Sequence, residues 1–286
     1  MQTAPVRQAV FEKNANFLGA VGCHQGLAAV FDAHPATTPG RYLMENHKRI
    51  ISELYSPDPG GPTLDGKIAE VVACVDSAIA AVGPDGLAVA WTGGKDSTLV
   101  LHLVRERLAE LAPGASLRAI SIDTGCKFPQ VVAFRDALAR EWDVQLTIAR
   151  PEVDMAGYPV AHDKAACCHD LKVLPLNRAI KETGIQLLLT GIRADEHPSR
   201  AMRPAVEAVA EPAHLRLHPL LHFSEMDVWS FIMDRGLPVC PLYQQGYRSL
   251  GCMPCTVLPG TGQGERSGRD QDKESMMDTL HSLGYF

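Results

Sequence analysis

Nowhere in its 286 residues does the chain hold an apolar run of the ~20 positions that a membrane-crossing helix needs. Its first thirteen residues carry Arg7, Glu12 and Lys13, where a secretory signal would have an uninterrupted apolar core. A membrane partner is therefore excluded at this stage, and the expected location is the cytoplasm. Excess positive charge is also missing: 27 Lys and Arg stand against 33 Asp and Glu, a formal net charge of -6 with a pI near 6.0. That balance excludes a surface built for non-specific DNA binding, although a local basic pocket on an acidic protein keeps nucleic acid open as a partner. No internal repeat or low-complexity tract interrupts the chain. Its length suits one large α/β domain, or one domain with a helical appendage.

Cysteine is not scarce. The chain has eight: Cys23, Cys74, Cys126, Cys167, Cys168, Cys240, Cys252 and Cys255. In a cytoplasmic protein such thiols stay reduced, so close pairs point to metal ligation or redox chemistry before disulfides. Cys23 and His24 lack partners at ligand spacing and read as structural.

The residues that organise the chain are 87–104. The apolar run 87–91 has the length of a buried strand, and Leu99, Val100, Leu103 and Val104 recur at helical spacing. Between them Thr92-Gly93-Gly94-Lys95-Asp96-Ser97 forms a strand-to-helix turn. Adjacent glycines let backbone N–H groups approach an anion, the helix start adds a positive dipole end, and Lys95 adds a point charge. This suits a phosphate, but it is not a Walker A loop, whose spacing differs and whose lysine is followed by Ser or Thr.

Around this turn the remaining pattern alternates. Helices are predicted over 66–82, 97–111, 129–141, 170–181 and 224–235, and strands over 87–91, 117–122, 144–149 and 186–190. Such alternation specifies a Rossmann-like parallel sheet with helices on both faces, with ligands at the carboxyl ends of the strands. Residues 1–64 read as a mainly helical N-terminal extension, with helices near 6–21 and 43–55, closed by a Pro- and Gly-rich loop at 56–62. Residues 65–286 are expected to form the nucleotide-binding domain, with the cysteines and a C-terminal tail.

Three further constellations fall at strand ends. Asp123 and Thr124 follow the second strand, where a carboxylate and a hydroxyl suit a nucleotide or its magnesium, or, equally on the chemistry alone, a capped turn. Cys167-Cys168 with Lys172, answered by Gly251-Cys252-Met253-Pro254-Cys255-Thr256, offers four soft thiolates for zinc or an iron–sulfur cluster, and spacing alone does not choose. Gly191, Arg193, Glu196 and Arg200 place backbone and forked donors where an oxyanion would sit.

These residues carry a resemblance. The loop 92–97 is similar to that of the PP-loop ATP pyrophosphatases, with Thr92 in the place of the usual first serine. Such a loop implies ATP, held by Thr92, Gly93, Gly94, Lys95, Asp96 and Ser97 and cut between its α- and β-phosphates. Asp123-Thr124-Gly125 running to Phe128-Pro129 resembles a segment shared by sulfonucleotide reductases and the small subunit of ATP sulfurylase. The cysteine pattern resembles the 4Fe-4S site of adenylyl sulfate reductases, which implies Cys167, Cys168, Cys252 and Cys255 as ligands and Lys172 as the cation beside the cluster. The segment 190–201 looks like the anion loop of the same families, implying roles for Gly191, Arg193, Glu196 and Arg200.

The tail separates these relatives. Reductases of this kind end in a mobile Glu-Cys-Gly segment, whereas this sequence has no cysteine after Cys255. Its Glu265-Arg266-Ser267-Gly268-Arg269 and its final Gly284-Tyr285-Phe286 resemble the sulfurylase subunit, with Arg266 and Arg269 as substrate-binding positions. With the Gly-Gly-Lys-Asp loop intact, the expected activity is ATP-dependent adenylation of an oxyanion such as sulfate. Lys95, Asp96, Arg193 and Arg200 would be catalytic, and ATP, magnesium and a 4Fe-4S cluster the cofactors. A partner subunit or a homo-oligomer fits the resemblance. The alternatives are a sulfonucleotide reductase, an ATP-dependent sulfurtransferase acting on nucleic acid, and a non-catalytic cluster-bearing nucleotide-binding subunit.

Overall fold

The computed structural model describes residues 63–260 and 262–286. The helices expected near 6–21 and 43–55, and the extension they were to build, lie outside the described residues.

The first described helix, α1 (Leu64–Val82), starts at Thr63, whose side chain accepts the Gly66 N–H. It leads into β1 (Leu87–Ala90), α2 (Lys95–Leu111), β2 (Leu117–Ile122), α3 (Pro129–Glu141) and β3 (Val144–Ala149). A short helix α4 (Lys164–Cys168), a π-turn (His169–Val173) and α5 (Leu174–Thr183) then run on into β4 (Leu187–Leu189). After β4 come β5 (Val206–Val209), β6 (His214–Leu217), α6 (Glu225–Arg235), α7 (Gln271–Ser275) and α8 (Met277–Ser282).

The six strands form one sheet in the order β3-β2-β1-β4-β6-β5. All neighbours are parallel except β5, which pairs antiparallel with β6 at the edge. Every residue of β1 is buried, as a strand covered on both faces requires. Its side chains alternate accordingly. Leu87, Val89 and Trp91 pack with Val75, Leu99 and Leu103 from α1 and α2, while Ala88 and Ala90 pack with Leu176 and Ile180 from α5. Helices therefore cover both sides of the sheet, and Leu99→Ala in this core would cost about 2–5 kcal/mol.

The Rossmann-like expectation holds, with two differences. The segment 201–219, for which the sequence pattern predicts no element, contains the β5–β6 hairpin, whose β6 carries the buried His214 and Arg216 and so hides its strand character in polar residues. The helix expected over 170–181 is one turn of π-helix followed by α5, a local widening that recurs at functional sites. Among the described residues no helix is long and apolar enough to cross a membrane.

Candidate active site

The loop 92–97 leaves β1 at its carboxyl end and is held by its own hydroxyls. Trp91 Nε1 donates to Thr98 Oγ1 at 3.1 Å, the hydroxyls of Thr92 and Ser97 lie 3.0 Å apart, and Thr98 Oγ1 donates to the Gly94 carbonyl at 2.9 Å. Gly93 has φ +82°, a backbone that side-chain-bearing residues rarely adopt. Gly191, just beyond β4, passes so close to the start of α2 that a Cβ there would stand 2.7 Å from the Ser97 nitrogen. Glycine at 191 is a packing requirement.

Lys95 is 1% exposed, yet its ammonium is fully partnered: Asp96 Oδ2 lies at 3.1 Å and Glu265 Oε1 closer still. Its backbone N–H donates to the Tyr243 hydroxyl at 2.8 Å. Arg193, wholly buried, pairs with Asp96 Oδ1 at 2.7 Å and with Asp195 and Glu265. Glu196 accepts the Arg193 N–H at 3.0 Å and pairs with Arg200. Arg266 lies 3.8 Å from Glu196 and is held by Glu274 at 2.6 Å. Burial works against the charge of Glu196, but Arg200, Arg266 and Arg193 overcome it and hold the carboxyl down at about 2. Burial raises the carboxyl of Glu265 against the pull of Lys95.

The cysteines gather on the other side of the same cavity. In α4, Cys167 and Cys168 are buried, and Asp163 caps the helix by accepting the Ala166 N–H. Cys252 is drawn to the loop after β2: Lys127 bridges to it as a β-pair, the Met253 N–H donates to the Cys126 carbonyl at 2.8 Å, and its thiol lies 3.3 Å from Thr124 Oγ1. The chain then returns through Cys255, whose carbonyl accepts the Asp270 N–H at 3.2 Å. Burial would raise the Cys252 thiol, but Lys172, the Thr124 hydrogen bond and Lys273 bring it below its ordinary value. Burial and neighbouring thiols push Cys126 up. Lys172 lies 5.2 Å from the Tyr285 ring centre and Lys273 4.5 Å. Basic residues thus surround the thiol set.

One cavity, about 1160 Å³ with the solvent at its mouth, joins the two halves. Thr92, Gly94, Lys95, Asp96, Ser97, Thr124, Lys172, Gly191, Glu196, Arg200, Cys252, Arg266 and Arg269 line it. Gly93 and Arg193 stand behind this wall, as do Cys167, Cys168 and Cys255. Asp123 is not brought into it. Its Oδ1 accepts the Gly125 N–H at 3.2 Å, and Arg150 and Arg135 lie 3.8 and 4.0 Å from its carboxylate, the capped-turn role that its chemistry allowed.

The cations in and behind the cavity wall fall into two groups. Those at the phosphate loop, Lys95 and Arg193, are neutralised by carboxylates of the chain itself. On the thiol side, Arg269 donates only to Ser249 Oγ and the Leu250 carbonyl, both at 3.1 Å, and the buried Nε atoms of Arg269 and Arg200 have no partner among the described residues. Buried donors of this kind call for an acceptor that the protein does not supply.

Tyr243, Glu265, Lys127, Tyr285 and Phe286 also belong to this site, although none of them was expected as a site residue. Glu265 and Tyr285 lay inside recognisable tail motifs, whereas Tyr243 carries no local signal: the loop after α6 brings it 148 positions back to Lys95.

Comparison with known proteins gives the family and the fold. Residues 86–258 match the phosphoadenosine phosphosulfate reductase domain. The adenosine 5'-phosphosulfate reductase of Rhodococcus erythropolis is 32% identical over 201 residues, spanning 68% of this chain and 78% of that protein. The reductase of the same description from Mycobacterium tuberculosis is 29% identical over 240 residues, 78% of this chain and 92% of that protein. Two solved structures share the fold. A phosphoadenylyl-sulfate reductase from Candida auris has a TM-score of 0.51 at 20% identity, covering 65% of this chain and 96% of that one. An FMN adenylyltransferase from Candida glabrata has a TM-score of 0.56 at 16% identity, covering 85% and 90%. The loop, the sheet and the matched sequence place this chain in the phosphoadenosine phosphosulfate reductase domain family of the PP-loop superfamily.

Proposed function

We propose that the protein is a sulfonucleotide reductase, acting on an adenine nucleotide whose α-phosphate carries a sulfo group. This replaces the adenylation of sulfate expected from the intact loop and the tail, because the relatives fit the reductase alternative better. The observation that carries it is the placing of the partnerless donors: Arg200 and Arg269 leave buried Nε atoms unsatisfied in the cavity wall shared with Lys172 and Cys252. An α-phosphosulfate laid along that wall supplies the missing acceptors and brings its sulfur to the thiol side. Residues 65–286 would form the catalytic unit.

In this reading a thiolate attacks the sulfur, the S–O bond to the phosphate breaks and AMP leaves, forming an S-sulfocysteine. An external dithiol then attacks the cysteine sulfur, releases sulfite and becomes a disulfide. Cys126, outside the four-cysteine set and next in sequence to Lys127 of the cavity wall, would be the attacking thiol in this reading. Arg200, Arg269 and Lys172 bind the oxyanions, and Thr124 holds Cys252 in the wall.

The four cysteines fit an iron–sulfur cluster. Cys167, Cys168, Cys252 and Cys255 would hold it, four thiolates being the ligand set of a cubane, with Cys252 set in the cavity wall 3.3 Å from Thr124 Oγ1. When bound, it would supply a polarising metal centre beside the sulfo group.

A second reading, cleavage of ATP with magnesium, is favoured by the complete Gly94-Lys95-Asp96 loop and by the convergence of Asp96, Glu196 and Glu265. Anaerobic incubation separates the two. Adenylyl sulfate with a dithiol should give sulfite, lost in Cys126→Ser. Pyrophosphate from ATP, magnesium and sulfate, with no sulfite from adenylyl sulfate, would replace the first reading by the second.

A further inference from the structure

We infer that Glu265 is a built-in anion occupying the pyrophosphate subsite of the loop 92–97, and that it sets the enzyme's preference for adenine nucleotides lacking β- and γ-phosphates. The inference deepens the sulfonucleotide reading and rests on it for the identity of the preferred ligand.

The loop has the parts of a phosphate cradle: a strand-to-helix turn, two glycines and a lysine. Its donors are already engaged from within the chain. The Lys95 N–H is taken by the Tyr243 hydroxyl at 2.8 Å and the Gly94 N–H by Thr92 Oγ1 at 3.3 Å. The Lys95 ammonium is held by Glu265 and Asp96. One carboxylate of the tail thus spans both loop-side cations, with Oε1 on Lys95 and Oε2 on Arg193, the way two oxygens of a phosphate would. Lys95 and Arg193 are 1% and 0% exposed and the Glu265 side chain 9%, so the pairs are shielded from water, where such contacts are strongest.

A triphosphate without magnesium cannot simply be added to this arrangement, and the titrations below are run free of divalent cations. Asp96, Glu196 and Glu265 already place three carboxylates within 4.8 Å, and further phosphate charge there meets repulsion from each of them. The β- and γ-phosphates must therefore expel Glu265 and take over its two cations. At its 5′ end a sulfonucleotide has only the α-phosphate and the sulfo group, which would reach Arg200, Arg269 and Lys172 without disturbing that pair. The residue next to Glu265 ties the plug to the sulfo end: Arg266 lines the cavity and is fixed by Glu274.

The test is a set of anaerobic binding titrations of the cofactor-loaded wild type and Glu265→Gln with AMP, ATP and inorganic pyrophosphate, without turnover. The amide keeps the shape and removes the charge. ATP and pyrophosphate should bind the variant at least about tenfold more tightly than the wild type, with AMP changed less than about twofold. Unchanged or weaker ATP and pyrophosphate binding in a variant that still binds AMP would overturn the inference. Hydrogen exchange on the wild type gives an answer that does not depend on the variant folding. Saturating pyrophosphate should speed exchange of the Ser267 and Arg269 amides, which donate to the Gly264 and Arg266 carbonyls, and AMP should not. No change under pyrophosphate would overturn the inference. Sulfite release is measured separately: its absence would remove the reductase reading, whereas the AMP and pyrophosphate comparison tests the plug alone.

Discussion

Thr124 and Cys252, 128 positions apart in the sequence, meet with hydroxyl and thiol 3.3 Å from each other. The contact joins the loop after β2 to the second cysteine pair, so the thiol set and the nucleotide cavity share one wall.

Anaerobically purified protein should be brown and contain about four iron atoms per chain, the content of a cubane held by four thiolates. Cys252→Ser should bleach it. Iron analysis and visible absorption check this, and stoichiometric zinc in protein never exposed to air would contradict it.

Arg269→Ala should weaken AMP binding by about 10–100-fold, the worth of one or two charge-assisted hydrogen bonds at ~1.4 kcal/mol per tenfold. Adenosine, which has no phosphate, should bind both proteins alike. Equal loss for AMP and adenosine in titration calorimetry would mean that Arg269 shapes the cavity and does not hold an anion.

Gly191→Ala puts a Cβ 2.7 Å from the Ser97 nitrogen and 2.8 Å from the Asp96 carbonyl carbon. Consecutive backbone atoms at the Asp96–Ser97 peptide leave no flexible group to yield, so the variant should lose about 1–3 kcal/mol in urea unfolding and bind AMP less tightly. Unchanged unfolding and binding would show that the loop tolerates displacement.

Lys95→Met leaves Glu265 and Asp96 without their shared ammonium but still paired with Arg193, so the loss should fall below the about 3–5 kcal/mol of a fully unpaired buried charge. Lys95→Met combined with Glu265→Gln should be more stable than Lys95→Met alone. Additive effects in thermal unfolding would deny the coupling.

Acid should weaken the wild type through Glu196. Its carboxyl sits at about 2 against an ordinary value of 4.5, because three arginines outweigh its burial. A depressed carboxyl stabilises the fold above the unfolded value and loses that contribution as the pH falls through the folded one, here from about pH 5 down to about 2, on the order of 3 kcal/mol in all. The stability gap between wild type and Glu196→Gln should therefore narrow over that window. A gap constant from pH 7 to 3 would place the ion pairs elsewhere.

The strand, loop and helix around Lys95 were legible because a local pattern fixes them: an apolar run, a glycine pair and helical spacing occur in unbroken order. The alternating sheet was legible for the same reason up to β4. The β5–β6 hairpin was not, since β6 buries His214 and Arg216 and its pairing with β4 and β5 stabilises residues whose local pattern reads as loop. Pairings across the chain were equally hidden. The charge of Glu265 could be read, but its place on Lys95, 170 positions back, depends on how the tail folds over the sheet. Asp123 shows the reverse: a strand-end carboxylate beside the loop satisfies its own turn.

The last residues have a practical meaning. Gly284, Tyr285 and Phe286 line the cavity, the Gly284 carbonyl accepts from Arg216 at 2.9 Å, and the Phe286 ring lies 5.1 Å from the guanidinium of the same arginine. A substitution at Arg216, inside β6, would therefore reach the cavity wall through these two contacts as well as the sheet.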